Sequence, residues 1–158
     1  MRTFGEILKE KRKEKDYTQP QLAKLVDRSR VQVVHWEHGT YYPSLRTVAD
    51  IADVFGCTID ELIDRKNGRS LETKKTLRDE LNEIRNGQKK RTFGEILRDA
   101  RKAKGYTQAQ LAGLLGVTQV CVYAWENGKA FPLILTAADL ADLFDCSLDE
   151  LMGRRVER

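Results

Sequence analysis

The sequence has few cysteines, few aromatic residues and no long apolar run. Its three cysteines form no CxxC pair, which argues against both a disulfide framework and a structural zinc site. No stretch approaches the ~20 apolar residues of a membrane span, and the amino terminus lacks the apolar core of a secretory signal. We therefore expect reduced thiols, no contact with a membrane and a cytoplasmic location.

Neither sign of charge predominates. Lysine and arginine number 28 and aspartate and glutamate 24, so the net charge is +4 in a chain of 158 residues. This weak bias permits an anionic partner without requiring one. With 41% apolar and 33% charged residues, the chain has the composition of a folded, charge-rich protein rather than a disordered one.

Clusters of reactive residues are also scarce. The sequence contains no nucleophile with an accompanying base and no glycine-rich loop that would cradle a phosphate. His35 and His38 are three residues apart, but no further ligands follow at a spacing suited to a metal. The sequence therefore predicts a protein that is not an enzyme and needs no metal or other cofactor.

What the sequence does contain is an internal repeat. Residues 2–8 recur letter for letter at 91–97, and at this offset of 89 residues 34 of the 64 positions from 2 to 65 are identical. A tandem duplication predicts two domains, at 1–66 and 91–158, joined by a linker at 67–90. Domains of this size bury little surface, so we expect compact helical packing.

The linker carries most of the excess positive charge. Its net charge is +3, against +1 for residues 1–66 and zero for 91–158. Ser70 can cap a helix of ~25 Å, in which Leu77, Leu81 and Ile84 share one face. Because that apolar stripe is thin, a polar spacer helix is favoured over a dedicated dimerisation helix.

Helix start signals recur in register in the two copies. Their side chains satisfy backbone N–H groups in the first turn of a helix. In the first copy they are Thr3 with Glu6, Thr18 with Gln21, Ser29, and Thr58 with Glu61. Gly39 tolerates the positive φ needed where the third helix ends, and a loop through Pro43 leads to the fourth.

Apolar residues at helical spacing follow these signals, and no alternating strand pattern occurs. The sequence thus predicts an all-α fold with five helices in each copy. The expected buried positions are Phe4, Ile7 and Leu8, then Leu22, Ala23, Leu25 and Val26, then Leu45, Val48, Ala49, Ile51, Ala52 and Phe55.

One motif occurs in both copies. Residues 18–23 read T-Q-P-Q-L-A, and residues 29–39 end in W-E-H-G; their counterparts at 107–112 and 118–128 read T-Q-A-Q-L-A and end in W-E-N-G. With the proline that follows, this pattern resembles the helix-turn-helix family of phage Cro and repressor proteins, also called the xenobiotic-response-element type. The resemblance implies two lambda-repressor-like domains that bind double-stranded DNA in a transcriptional regulator, with a repressor favoured.

The second helix of the motif is the expected DNA-contacting element, because it can lie across a major groove about 12 Å wide. Val33 and Trp36 should pack inward. The side chains expected to face the bases are Arg30, Val31 and His35, with Gln32 and Val34 on the flanks. Arg30 has the chemistry to bind guanine O6 and N7, with a phosphate contact as the alternative. Val31 can contact a thymine methyl group.

Further DNA contacts are expected around this helix. Gln19 begins the preceding helix in the first copy, and Gln108 does so in the second. At such a helix start, a side chain and backbone N–H groups can bind a phosphate jointly. The resemblance implies this role, since the family uses the matching glutamine in this way. The remaining candidates are Ser29, Thr118 and Asn127, with His38, Thr40, Tyr41 and Arg46 weaker. The resemblance also implies a structural ion pair between Arg12 and Glu37, and between Arg101 and Glu126.

The two copies differ at the expected DNA-contacting positions. The second copy has Gln119, Val120, Cys121 and Ala124 where the first has Arg30, Val31, Gln32 and His35, and only Gln119 retains strong base-recognising chemistry, toward adenine. The second domain therefore either binds a different half-site or has exchanged DNA for a protein partner.

Cys57 and Cys146 occupy equivalent positions, where core packing is the better interpretation.

Two functional hypotheses follow. The leading one is a sequence-specific transcriptional regulator, which binds DNA either as an intrachain pseudo-dimer or as a homodimer formed through one copy. The alternative is a protein-interaction adaptor or antitoxin whose second domain holds a partner through Val120, Tyr123 and Ala124. Recovery of a motif from random duplex DNA would distinguish the two.

Overall fold

The computed structural model describes residues 2–65 and 91–154, in which every regular element is an α-helix. The first segment contains α1 (Phe4–Glu14), α2 (Gln19–Leu25), α3 (Arg30–Glu37), α4 (Leu45–Phe55) and α5 (Ile59–Leu62). The second contains α6 (Phe93–Ala103), α7 (Gln108–Leu114), α8 (Gln119–Glu126), α9 (Ile134–Phe144) and α10 (Leu148–Leu151). The predicted all-α class with five helices per copy is confirmed.

We call these two segments the first and second domains. The predicted boundaries at 66 and 91 stay predictions. The predicted linker helix, with Leu77, Leu81 and Ile84, lies outside the described residues.

Side-chain caps set where the helices begin. At α1, the Glu6 backbone N–H donates to Thr3 Oγ1 at 3.3 Å and the Thr3 backbone N–H donates to Glu6 Oε2 at 2.8 Å. Reciprocal pairs of this kind also open α2, α3 and α5, as well as α6, α7 and α10. Gly39, just after α3, has a φ of 69°, so the predicted stop with positive φ is confirmed.

The helices of both domains pack around one continuous apolar cluster. Leu8, Leu22, Val33 and Leu45 are fully buried in the first domain. Their counterparts in the second are Leu97, Leu111, Val122 and Ile134, which are also fully buried. Burial of each such side chain stabilises the fold by about 1.5–3 kcal/mol.

One predicted core position is wrong. Leu25 is 52% exposed, and its counterpart Leu114 is 58% exposed. The buried arc of α2 is formed by Leu22 and Ala23, continued by Val26. Successive residues of a helix are about 100° apart around its axis. Ala23 therefore lies on one side of Leu22, and Leu25 lies on the other side, outside the buried arc.

The two domains contact each other through the loops that precede α4 and α9. The Leu45 N–H donates to the Pro132 carbonyl at 2.9 Å, and the Ile134 N–H donates to the Pro43 carbonyl at 3.0 Å. Ser44 and Leu133 form an isolated antiparallel bridge between these bonds. Ile134 and Pro132 lie 89 residues after Leu45 and Pro43, at the matching positions of the repeat. The second bond therefore repeats the first with the two domains exchanged.

The short helices α5 and α10 meet in the same reciprocal way. The Ile59 N–H donates to Asp149 Oδ2 at 2.9 Å, and the Leu148 N–H donates to Asp60 Oδ2 at 3.0 Å. Both aspartates are buried. Each carboxylate therefore satisfies a backbone donor in the first turn of the other domain's helix, where the helix dipole also favours a negative charge.

Two arginines complete this contact. Arg65 binds Asp60 of its own domain at 2.6 Å and Asp142 of the other at 2.6 Å. Arg154 likewise binds Asp149 of its own domain and, at 2.5 Å, Asp53 of the other. We call residues 43–45 and 132–134, α5, α10 and these ion pairs the pairing interface. Its contacts relate the domains by an approximate two-fold axis, as in an isologous dimer.

Candidate nucleic-acid interface

A buried ion pair anchors the recognition helix α3 to α1. Arg12 Nε donates to Glu37 Oε1 at 2.5 Å and Arg12 Nη2 donates to Glu37 Oε2 at 3.1 Å. The side chains are only 11% and 2% exposed. Arg12 Nη1 also donates to the Tyr17 carbonyl at 2.7 Å, so one guanidinium joins the end of α1, the approach to α2 and the end of α3.

The same arrangement holds the second recognition helix, α8. Arg101 Nε and Nη2 donate to Glu126 at 2.5 and 3.1 Å, and Arg101 Nη1 donates to the Tyr106 carbonyl at 2.8 Å. Both ion pairs implied by the family resemblance are therefore confirmed.

Gln19 joins this network, which the sequence did not reveal. Its Nε2 donates to Glu37 Oε2 at 2.9 Å, and in the second domain Gln108 Nε2 donates to Glu126 Oε2 at the same distance. These bonds fix each glutamine side chain between the first turn of its own helix and the recognition helix. The phosphate contacts expected of Gln19 and Gln108 stay predictions.

The ion pair also sets the charge state of the anchoring glutamate. Burial raises the pKa of Glu37, but hydrogen bonds from Arg12 and Gln19 outweigh burial and bring that pKa below its ordinary value of 4.5. Glu126 has the same balance, with Arg101 and Gln108 as donors, and its pKa is also lowered. Both side chains are therefore carboxylates at neutral pH.

This predicts a contribution to acid unfolding. Because the folded-state pKa values are lowered, the two glutamates stabilise the fold above about pH 4.5, and this contribution is lost as the pH falls through the folded-state values. A double variant, Glu37→Gln with Glu126→Gln, should therefore show a weaker decline in the free energy of unfolding between about pH 5 and pH 3 than the parent chain. Urea unfolding across that range measures both slopes, and equal slopes would contradict the assignment.

The outer face of α3 is presented to solvent. Val31 is 61% exposed and Val33 and Trp36 are buried, as predicted, whereas His35, which was also predicted to face outward, is half-buried. Arg30 is exposed, and no hydrogen bond or ion pair joins its guanidinium to another of the described residues. Its five N–H donors are therefore available to a ligand.

Neighbouring polar side chains on α3 are partly engaged. Gln32 Oε1 accepts a hydrogen bond from the Ser29 N–H at 3.1 Å, and its amide N–H₂ group donates to no other side chain or backbone group of the described residues. The rings of His35 and Tyr41 meet edge to face at 5.1 Å between centroids. His38 Nδ1 lies 2.8 Å from the Val34 carbonyl. These contacts orient three of the predicted DNA-contacting side chains before any ligand arrives.

A polar groove runs beside α3, and sequence reasoning did not identify it. It is lined by residues of the turn before α3, of α3, of the loop before α4 and of α4 itself, namely Arg28, Gln32, His35, Trp36, Tyr41, Tyr42, Pro43, Ser44 and Thr47. Arg28 Nη2 donates to Thr47 Oγ1 at 3.2 Å and Nη1 donates to the Asp27 carbonyl at 2.7 Å. The basic side chain is thereby held against α4, at the edge of the outer face of α3.

The outer face of α8 is less charged. Val120 is 73% and Tyr123 50% exposed, while Gln119 is exposed and Ala124 half-buried. Lys129 Nζ lies 5.7 Å from the centre of the Tyr123 ring.

The flanks of α8 are fixed by local bonds. Thr118 Oγ1 accepts a hydrogen bond from the Cys121 N–H at 3.4 Å, without the reciprocal side-chain bond that Gln32 makes in α3. Asn127 Nδ2 donates to the Tyr123 carbonyl at 2.7 Å, and Asn127 Oδ1 accepts from Arg98 Nη2 at 3.4 Å. Thr118 and Asn127 therefore frame α8 as Ser29 and His38 frame α3.

Cys57 and Cys146 adjoin the apolar core. Cys57 is buried, and Cys146 is half-buried and packs against this core. Burial raises the pKa of both thiols, that of Cys146 to about 12. The interpretation as packing residues is confirmed for this pair. Within residues 2–65 and 91–154, three or more histidine, cysteine, aspartate or glutamate side chains nowhere converge on a position for a metal ion.

None of the described helices combines the length and the apolar character that a membrane crossing requires.

Comparison with known proteins gives matches in both halves of the chain. The helix-turn-helix family profile matches residues 8–62 and again residues 97–151. The chain is 38% identical over 60 residues to a prophage-derived HTH-type transcriptional regulator, YonR, of Bacillus subtilis, a match that covers 38% of this chain and 56% of the relative. It is 37% identical over 60 residues to the phage CTXphi transcriptional repressor RstR of Vibrio cholerae, covering 38% of this chain and 54% of the relative.

A third relative is named as an activator. The HTH-type transcriptional activator BcrR of Enterococcus faecalis is 35% identical over 61 residues, which is 39% of this chain and 30% of the relative. The chain thus spans about half, or less, of the length of these relatives. No solved structure matches the chain significantly.

The two profile matches together cover more than half of the chain, and each contains a helix pair with the packing and the outer face described above. The chain therefore belongs to the helix-turn-helix family, of the Cro and phage-repressor type, and carries the family's domain twice.

Proposed function

We propose that the protein is a sequence-specific DNA-binding transcriptional regulator, and not an enzyme, that places α3 and α8 in the major groove. The observation that carries the proposal is the outer face of α3. Arg30 and Val31 project there beside each other, while the opposite face of the helix is fixed by Trp36 and Glu37. A rigid helix with a free guanidinium and a neighbouring apolar group has the chemistry to recognise guanine next to thymine.

The relatives support the same function. All three are named transcriptional regulators, among them both a repressor and an activator, and we favour repression here. The comparisons give no support to the adaptor or antitoxin alternative. A regulator of this class acts on cellular DNA, which agrees with the cytoplasmic location expected from the sequence.

Selection from random duplex DNA tests the proposal. The full chain is incubated with a randomised duplex library, and bound duplexes are amplified and sequenced over several rounds. We expect enrichment of a defined motif, and affinity for it that falls with added salt because phosphate contacts release counterions. If no motif emerges, the proposed function is wrong.

Arg30→Ala is expected to relax the preference at one base pair. Loss of a bidentate contact to guanine removes about 1–3 kcal/mol of discrimination at that position, while preferences elsewhere in the motif persist. Fluorescence anisotropy titrations with the selected site and its single-base variants measure this loss. Lys13→Ala is the charge-matched control, since Lys13 is an exposed cation in the last turn of α1. An unchanged motif in Arg30→Ala would exclude base recognition by Arg30.

A further inference from the structure

The pairing interface joins two domains of one chain in the manner of a symmetric dimer. Its backbone bonds and carboxylate caps occur twice, each at nearly the same length, with the roles of the domains exchanged. A two-fold rotation keeps equivalent atoms at the same height along its axis. The recognition helices α3 and α8 therefore lie level with each other on either side of that axis, as the two half-sites of a DNA duplex do.

The segment between α3 and the axis is long enough for α3 and α8 to reach successive major grooves. Glu37 ends α3 seven residues before Ser44, which lies at the pairing interface. Seven residues reach at most about 23 Å. Half-sites one helical turn apart have centres about 34 Å apart, so each lies ~17 Å from the axis between them. The connection between the recognition helix and the axis is long enough for this separation.

Although the frame is symmetric, the side chains that it presents are not. Arg30 of α3 corresponds to Gln119 of α8, and both are exposed. His35 corresponds to Ala124, and Arg46, whose side chain is 60% exposed, corresponds to Leu135, which is 49% exposed. The first domain therefore offers two arginines and a histidine where the second offers an amide and apolar side chains.

These differences correspond to different base pairs. A guanidinium forms its best paired contact with guanine O6 and N7, whereas a glutamine amide does so with adenine N6 and N7. The exposed methyl groups of Val120 add apolar contact of the kind that favours thymine.

We propose that one chain, acting as an intrachain pseudo-dimer, recognises an asymmetric DNA site in a single orientation. Arg30 contacts a G·C pair in the first half-site, and Gln119 contacts an A·T pair in the second. This inference rests on the proposed function and adds to it the class of operator, which is bipartite and not palindromic. The protein–protein contact that a one-domain relative would obtain from a second copy is supplied here by the second domain.

The selection experiment distinguishes this inference from the proposed function. We expect a two-part motif with unlike halves whose centres are about 10–10.5 base pairs apart, and native mass spectrometry of the complex should show one chain per duplex. A palindrome bound by two chains, or a single half-site, would overturn the inference and leave sequence-specific binding intact. The absence of any motif would overturn the proposed function itself.

Two reciprocal variants assign the halves. Arg30→Gln makes α3 resemble α8 and should change the G·C preference to A·T in one half of the motif only. Gln119→Arg makes the opposite change and should introduce a G·C preference in the other half. Each variant should alter relative affinity for the two base pairs about tenfold or more. If Gln119→Arg selects the parent motif, the second domain does not recognise a base through this position.

Both substitutions are at exposed positions, so we expect neither to disturb the fold. Each variant should have a thermal unfolding midpoint close to that of the parent chain. If a variant keeps this midpoint but does not change the base-pair preference as expected, the assignment of the two halves is wrong.

Discussion

Arg12→Met is expected to lower the free energy of unfolding by about 3–5 kcal/mol. The substitution keeps most of the volume of the aliphatic side chain but removes the guanidinium that binds Glu37. Glu37 is then left as a carboxylate that is 2% exposed, with the Gln19 amide as its remaining side-chain donor. Leaving one member of a buried ion pair without its counter-ion is costly, because water cannot solvate the charge that remains.

Each lost contact has a separate structural consequence. The two bonds to Glu37 tie α1 to the end of α3, and the bond to the Tyr17 carbonyl ties α1 to the approach to α2. The recognition helix should therefore be less rigidly held in any variant that still folds. We expect weaker DNA binding without a change in the preferred bases, since Arg12 lies on the side of α3 opposite the outer face.

Arg2→Met is the matched control. Arg2 and Glu10 form an ion pair at 2.5 Å, but their side chains are 58% and 51% exposed, and exposed pairs contribute only about 0–1 kcal/mol. Urea unfolding is followed by tryptophan fluorescence, since Trp36 and Trp125 place one tryptophan in each domain. A cost for Arg12→Met that is no larger than that for Arg2→Met would show that the buried pair does not anchor α3.

A second variant separates lost charge pairing from lost packing. Replacing both Arg12 and Glu37 by methionine removes the unpaired charge, and exchange of a buried ion pair for apolar side chains of similar volume is often nearly neutral. The double variant should therefore be more stable than Arg12→Met alone.

Much of the fold was predictable because its determinants are local. A capping box such as that of Thr3 and Glu6 involves residues three apart, so the sequence alone identifies both partners. The burial of Val33 and Trp36 follows from helical periodicity in the same way. Leu25 was misassigned because α2 has only seven residues, too few for apolar spacing to define the edges of its buried arc.

The pairing interface was not predictable, because it depends on how two complete domains meet. Asp60 and Asp149 are buried although each is an acidic residue, and each accepts a backbone hydrogen bond from a residue about ninety positions away. The repeat did contain a signal, since both aspartates and both arginines, Arg65 and Arg154, occur at matching positions. Nothing in the sequence indicated that each aspartate also accepts a backbone bond from the opposite copy, or that each arginine also binds an aspartate there.

Side-chain engagement at the candidate site was also hidden from the sequence. The Gln19 amide was expected to face a phosphate, and the structure joins it to Glu37. His35 was expected to face bases, and its ring also packs against Tyr41. These contacts link residues on different elements, so they become visible only when the helices are packed together.

Gly5→Ala is expected to push α1 away from the end of α3. An added Cβ would lie 2.5 Å from the Trp36 carbonyl oxygen and 2.7 Å from that of Glu37. Both neighbours are backbone atoms at the end of α3, so no side-chain rotation can relieve the contact. We expect the helices to separate, with a loss of about 1–3 kcal/mol in the free energy of unfolding and weaker binding to every DNA sequence.

Gly113→Ala is the control, because it makes the same chemical change inside a helix where nothing lies within 4 Å of the added Cβ. Alanine is favoured over glycine in a helix by about 0.5–1 kcal/mol, so this variant should be more stable than the parent chain. Gly94→Ala should repeat the loss in the second domain, where the added Cβ would lie 2.6 Å from the Glu126 carbonyl oxygen. Equal stability of Gly5→Ala and Gly113→Ala would mean that close contact of α1 with α3 does not limit the position of the recognition helix.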